Sequence, residues 1–148
     1  MSEFSISSPD FKDGEEIPKK FGYKFENFEP KITIDDSPEG TYSTALIMDD
    51  PDAMKAVGKV WVHWLMCNMA LSIHEDEADL STVYGKTDFG ETKYGGPAPP
   101  DGRHTYIFKA YAIDTNLDLK EGYSKQELED AMKGHILAEA KLTGTFAP

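Results

Sequence analysis

The run KVWVHWLMCNM at residues 59–69 sets the tightest constraint on the fold. It is almost continuously apolar, and β-branched and aromatic residues dominate its first half. A short run of this kind with no polar stripe reads as a strand covered on both faces. A chain that holds such a strand must supply packing layers on either side of it.

Three further runs fit that demand. KITIDD at 31–36 alternates, with Ile32 and Ile34 on one face. TYSTALIMDD at 41–50 turns apolar towards its end. HTYIFKAYAID at 104–114 splits by period two, with His104, Tyr106, Phe108 and Ala110 on one face and Ile107, Tyr111 and Ile113 on the other. Clusters of Pro, Gly and Asp separate the runs (EEIPKKFG, DDSPEG, DDPDAMKAVG, KTDFGETKYGGPAPPDG) and mark turns. One helix is signalled late: Ser124 and Glu127 form a capping box, and Leu128, Ala131, Met132 and Ile136 follow at helical spacing. The spacing predicts a helix over about 125–140, with KLTGTF as a short closing strand. Strands first and a helix near the C-terminus predict a mainly β fold, an antiparallel sandwich and not an alternating α/β sheet.

No repeat, low-complexity tract or polar linker divides the chain, so residues 1–148 read as a single domain. A formal charge of −12, from 27 acidic against 15 basic residues, makes nucleic acid and anionic lipid surfaces poor partners. A local anion site still fits, because backbone N–H groups and ring donors act at short range. Cys67 stands alone, which excludes an internal disulfide and a zinc–thiolate site and reads as a small buried hydrophobe. The N-terminus has no basic start and no apolar segment, and no run approaches the ~20 apolar residues of a membrane span. A soluble, cytoplasmic protein is expected.

Three constellations could carry chemistry. In DDPDA at 49–53, Asp49, Asp50 and Asp52 surround Pro51. They read as an aspartate-capped turn, or as a turn that delivers one carboxylate to a pocket. His63, set among Trp61, Val62, Trp64 and Leu65, reads as a satisfied core histidine or as a neutral ring facing a ligand. YGGPAPPDGRHTYIF at 94–108 reads as a tight crossing between sheets or as a ligand loop. On the second reading Gly95, Gly96 and Pro97 let a ligand approach the main chain, and successive N–H groups there form an anion nest. His104 and Tyr106, two apart on a strand, then point the same way with an N–H and an O–H. His74, among acids in a loop, reads as solvated, and His135 as a surface or packing residue of the helix. The spacing of residues 50, 63 and 104 is no metal-ligand signature, and no nucleophile, phosphate-loop or dinucleotide motif occurs.

In this order, DDPDA, VHW and YGGPAPPDGRHTY resemble the phosphatidylethanolamine-binding protein family, and most closely its bacterial and archaeal Raf-kinase-inhibitor-like branch. AMKGHILAEAKLTGTF near the C-terminus is similar to that branch as well, so the likeness runs from about residue 20 to the end. The resemblance implies a central antiparallel β-sandwich with short flanking helices and a small pocket for phosphate-like or carboxylate anions. It assigns to that pocket Asp50 and Asp52 of the Asp-Pro-Asp motif, His63, Gly96 and Pro97 of the ligand loop, and His104 and Tyr106 of a His-Arg-Tyr motif. It also implies a cis bond before a motif proline. Met54 stands where the family commonly has proline, which predicts a looser rim, and Thr105 replaces the arginine, which puts a structural ion pair in doubt.

Three functions follow. The leading one is a non-enzymatic binding protein for a small anionic or zwitterionic ligand, with phosphorylethanolamine-like head groups included and no cofactor or metal. The second is a kinase or protease inhibitor acting through the pocket rim, by analogy with the family. The third is a hydrolase using Asp50 and the two histidines. A homodimer is left open.

Overall fold

A computed structural model describes residues 3–74 and 81–148. Five strands form an antiparallel sheet: β3 (Ser43–Asp50), β4 (Trp61–Met69), β5 (Val83–Tyr84), β6 (His104–Ile113) and β7 (Ile136–Phe146), in the order β5-β4-β3-β6-β7. A second, two-stranded antiparallel sheet pairs β1 (Ser5–Ser7) with β2 (Thr33–Asp35). Among the described residues two α-helices accompany them, α1 (Ala53–Val57) and α2 (Lys125–Met132), with a single 3-10 turn at Lys19–Phe21.

The large sheet is covered on both faces, as the apolar runs require. One face carries Leu46, Met48, Trp64, Tyr106 and Phe108, which pack with Ile6, Phe11, Ile17, Ile32 and Ile34 from the N-terminal segment and the small sheet. The other face carries Ala45, Ile47, Leu65, Cys67, Tyr111 and Ile113, which pack with Leu128 and Met132 of α2. The two-residue period read from 104–114 therefore sorts this strand's buried residues between the two layers. At roughly 1.5–3 kcal/mol for each large apolar side chain buried, these two layers dominate the stability.

The helix near the C-terminus begins as the capping box predicts: Ser124 Oγ accepts from the Glu127 N–H at 3.0 Å, and the Glu127 carboxylate accepts from the Ser124 N–H at 2.9 Å. Its end differs from the predicted 140. The helix stops at Met132, and Gly134 turns the chain at φ +80°. The next 11 residues pair with β6, Ala138 opposite Ala112 and Ala140 opposite Ala110. Pairing along a buried strand outweighs the helix propensity of HILAEAK. Ile136 is consequently exposed, and His135 lies outside the helix with its Nδ1 2.7 Å from Asp114. His74 sits 2.9 Å from Asp35, and the acids that follow it lie outside the described residues. Among the described residues no helix is long and apolar enough to cross a membrane, and every peptide bond is trans, including those before the motif prolines.

Candidate functional site

Strand β3 runs through alternating faces to its last two residues. Asp49 points to the α2 side, where Lys125 and Lys109 bind it at 2.9 and 3.3 Å. Asp50 points the other way, and the turn at Pro51 is then pinned by the Asp52 N–H donating to Asp50 Oδ1 at 3.0 Å. Asp50 is thus at once the capping residue of the turn and a pocket carboxylate. Its second oxygen accepts from His104 Nδ1 at 2.6 Å, with both side chains 4% exposed. The other ring nitrogen of His104 lies 2.6 Å from Asp101 Oδ1. Burial works against a charged ring here, but the hydrogen bonds to Asp50 and Asp101 outweigh it and raise the His104 pKa above the ordinary histidine range.

His63 reaches the same place through an irregularity in β4. Met48 pairs with Trp64 but the next residue, Asp49, pairs with Val62, so His63 is an extra residue in its strand. Such a bulge re-aims a side chain. It brings His63 to the Trp64 face, its ring edge-on to Tyr106 with centroids 5.1 Å apart. His63 Nδ1 is 2.7 Å from the Gly95 carbonyl, which can only accept. The neutral ring therefore carries its proton on Nδ1, and Nε2 is a bare acceptor. Burial lowers the His63 pKa, against the pull of the Gly95 carbonyl and Asp50. Among the described residues neither His63 Nε2 nor Tyr106 Oη has a hydrogen-bond partner, although both are buried. Burial, helped by the Asp50 charge, raises the Tyr106 pKa and keeps the phenol protonated.

Asp50, His63, His104 and Tyr106 converge on one cavity of about 300 Å³. Its remaining walls are chiefly apolar: Ala53, Ala56 and Val57 from α1, Trp61, Ala98, Pro100, and the stacked pair Tyr23–Phe89 with centroids 3.9 Å apart. Lys24 contributes the one further cationic side chain among the described lining residues. An acceptor and a hydroxyl side by side suit a ligand head that both donates and accepts, such as a protonated phosphate ester or a carboxylic acid.

Three of the predicted residues do not line this cavity. Asp52 accepts from the Thr105 N–H at 2.8 Å and so ties the turn to β6. Gly96 donates its N–H to Asn27 Oδ1 at 2.8 Å, and the Pro97 carbonyl accepts from Tyr23 N–H at 2.9 Å. The Gly95 N–H donates to the His63 carbonyl at 2.9 Å. The Gly95 and Gly96 amides expected to form an anion nest are therefore engaged within the fold. The glycines serve packing instead: a Cβ at Gly96 would lie 1.9 Å from the Phe21 carbonyl oxygen, and one at Gly95 would lie 2.3 Å from the Phe89 ring. Met54 projects to solvent, and its N–H closes the turn on the Pro51 carbonyl at 3.2 Å, a bond that proline could not donate. Arg103, two residues before Thr105, makes an ion pair with Glu16 at 2.6 Å.

The sequence profile of the family described as phosphatidylethanolamine-binding protein matches residues 7–147. The chain belongs to that family. A UPF0098 protein of Methanothermobacter thermautotrophicus is 41% identical over 144 residues, which span 92% of this chain and 93% of its own. One from Aquifex aeolicus is 39% identical over 148 residues, spanning 95% and 86%. A crystal structure of a phosphatidylethanolamine-binding protein homologue from Chlamydia trachomatis superposes with a TM-score of 0.89 at 34% identity, covering 99% of this chain and 98% of that one. Escherichia coli YbcL, described as a member of the mammalian family, gives 0.87 at 27% identity, with 98% of each chain covered.

Within this family member, the wall residues Trp61 and Phe89, and Asp101 beside His104, carry no clear functional mark in the sequence. Trp61 and Phe89 look like ordinary core aromatics in sequence. Asp101 looks like the turn residue of PPDG, and only its spacing of three from His104 hinted at a contact.

Proposed function

We propose that this chain is a non-enzymatic binding protein whose pocket holds a small phosphate-like or carboxylate group, phosphorylethanolamine-like head groups included, in a regulatory role. One observation carries the reading: His63 Nε2 and Tyr106 Oη are buried without partners beside an open, mostly apolar cavity. Leaving two such atoms unpaired costs about 1–3 kcal/mol each, which a ligand would recover. His104 and Lys24 bring positive charge to the cavity and Asp50 negative charge, while Asp101 pairs with His104 Nε2. A fully ionised anion beside Asp50 is repelled unless a proton or ammonium lies between them. Partly protonated or zwitterionic ligands are therefore favoured. The test is an NMR titration of the His63 and His104 ring signals with phosphate and with phosphorylethanolamine. Signals that stay fixed with both would sink the proposal.

A second reading, a module that inhibits a kinase or protease through the pocket rim, draws on Met54 and Val57. Both are exposed apolar residues of α1, and Val57 lines the cavity. Equal recovery of partners by wild type and His104→Ala in a pull-down would count against a pocket-mediated version.

A further inference from the structure

Both ring nitrogens of His104 are already occupied. His104 Nδ1 is committed to Asp50, at the buried end of the pair, and Nε2 is 2.6 Å from Asp101 Oδ1. The two acids differ in how firmly they are held. The Asp50 side chain is 4% exposed and is also fastened to the Asp52 N–H, whereas the Asp101 side chain is 52% exposed. Asp101 follows Pro100, a wall residue of the cavity, and precedes Gly102. It can therefore leave the ring for water at little cost to the fold.

We propose that Asp101 is the specificity-determining residue of this pocket: its carboxylate sits as an internal competitor in the anion seat at His104 Nε2. The inference rests on the pocket being a ligand site, as argued above. The competitor lies three positions before its target, so its effective concentration at the ring is on the order of millimolar or higher. A simple anion that offers nothing beyond a charged oxygen must displace it at that disadvantage. A ligand that also pairs with His63 Nε2 and Tyr106 Oη gains contacts that Asp101 does not make, because both atoms remain unpartnered with Asp101 in place. Asp101 thus discriminates against free anions and in favour of ligands that engage the pocket floor. The charged groups that meet at the ring are Asp50 and Asp101, with Lys24 on the same cavity wall.

The test is titration of wild type, Asp101→Ala and Asp101→Asn with inorganic phosphate, followed through the His104 and His63 ring signals. Glu91→Gln, at a partly exposed acid that pairs with Lys93 on the same long loop and does not line the cavity, controls for the general loss of one negative charge. Removing one charge-assisted hydrogen bond from the competitor predicts phosphate affinity roughly tenfold higher in both Asp101 variants. Glu91→Gln should change it less than about twofold. Asp101 variants that bind like wild type or like Glu91→Gln overturn the competitor role while leaving the pocket standing. Absence of phosphate binding in every variant overturns both.

Discussion

Replacing Gly96 by alanine separates the two explanations for the glycine loop. If the glycine exists to let a ligand near the main chain, Gly96→Ala weakens binding and leaves stability alone. The structure predicts the reverse. A Cβ there would sit 1.9 Å from the Phe21 carbonyl oxygen and 2.9 Å from Asn27 Oδ1. Carbon–oxygen contacts are comfortable at about 3.3 Å or more, so the Phe21 carbonyl has to move by more than ~1 Å. That oxygen also accepts the Tyr94 hydroxyl at 2.9 Å, and Tyr94 is buried. Overpacking costs about 1–3 kcal/mol, and a buried hydroxyl left without its acceptor costs about 1–3 kcal/mol more. A central figure of about 4 kcal/mol corresponds to a midpoint lowered by roughly 8–16 °C for a chain of this length. Thermal unfolding followed by far-UV circular dichroism measures it directly. Gly95→Ala is the contrast, because its Cβ meets the Phe89 ring at 2.3 Å and not backbone. Phe89 lines the cavity and can swing into it, so this variant should lose ligand affinity with a smaller loss of stability. A Gly96→Ala midpoint within about 2 °C of wild type would refute the packing argument.

The two pocket histidines should pull stability in opposite directions with pH. His104 has a raised pKa in the folded state, so its contribution is fully present below the unfolded value of about 6.5 and is lost as pH rises through the folded one; His104→Gln should flatten that alkaline decline in urea unfolding. His63 has a lowered pKa, so below about 6.5 the unfolded state takes up the proton first and stability falls as pH drops; a conservative His63→Gln should lessen that acid loss. Tyr106→Phe removes a buried hydroxyl with no partner among the described residues, so it should leave stability unchanged or raise it by up to about 1–2 kcal/mol while weakening phosphate binding. A clear loss of stability in Tyr106→Phe would show that the hydroxyl is satisfied within the fold.

The strand runs and the capping box were legible because burial on two faces and the helix N-terminus both leave local marks. The end of α2 was not, because HILAEAK is locally helix-forming and its fate is decided by β6, about two dozen residues upstream. Gly134, at φ +80°, was the local sign that the helix stops early. Around the pocket, strand parity put His104 and Tyr106 on one face, and the family resemblance joined Asp50 and His63 to them; parity alone would have sent His63 to the opposite layer. The resemblance grouped Asp52, Gly96 and Pro97 with them, and an Asp-Pro-Asp turn or a Gly-Pro loop looks the same in sequence whether it faces a ligand or the fold. What distinguishes the cases is the position of the Thr105 amide, the Asn27 side chain and the Phe21 carbonyl, none of which is near in sequence.

The bulge at His63 explains how one strand serves both core and site. With regular alternation His63 would share a face with Leu65 and Cys67, in the layer packed against α2. An unpaired imidazole nitrogen among those side chains would cost about 1–3 kcal/mol with nothing to recover it. The extra residue changes the parity of β4 between Val62 and Trp64. Val62 stays on the α2 layer opposite Asp49, Trp64 stays in the other layer opposite Met48, and His63 turns towards Tyr106. The hydrogen bonds of the bulged segment are completed from outside the sheet: the Val62 N–H donates to Asp88 Oδ2 at 2.7 Å, and the His63 carbonyl accepts from the Gly95 N–H at 2.9 Å. That accounts for the rigid loop at 94–102. It replaces a strand partner along the irregular edge of β4, fixes the His63 tautomer through the Gly95 carbonyl, and delivers Asp101 to His104 from the same segment. The loop acts on the cavity through the two histidines it holds: its Gly95 N–H and carbonyl both bind His63, and its Asp101 carboxylate binds His104.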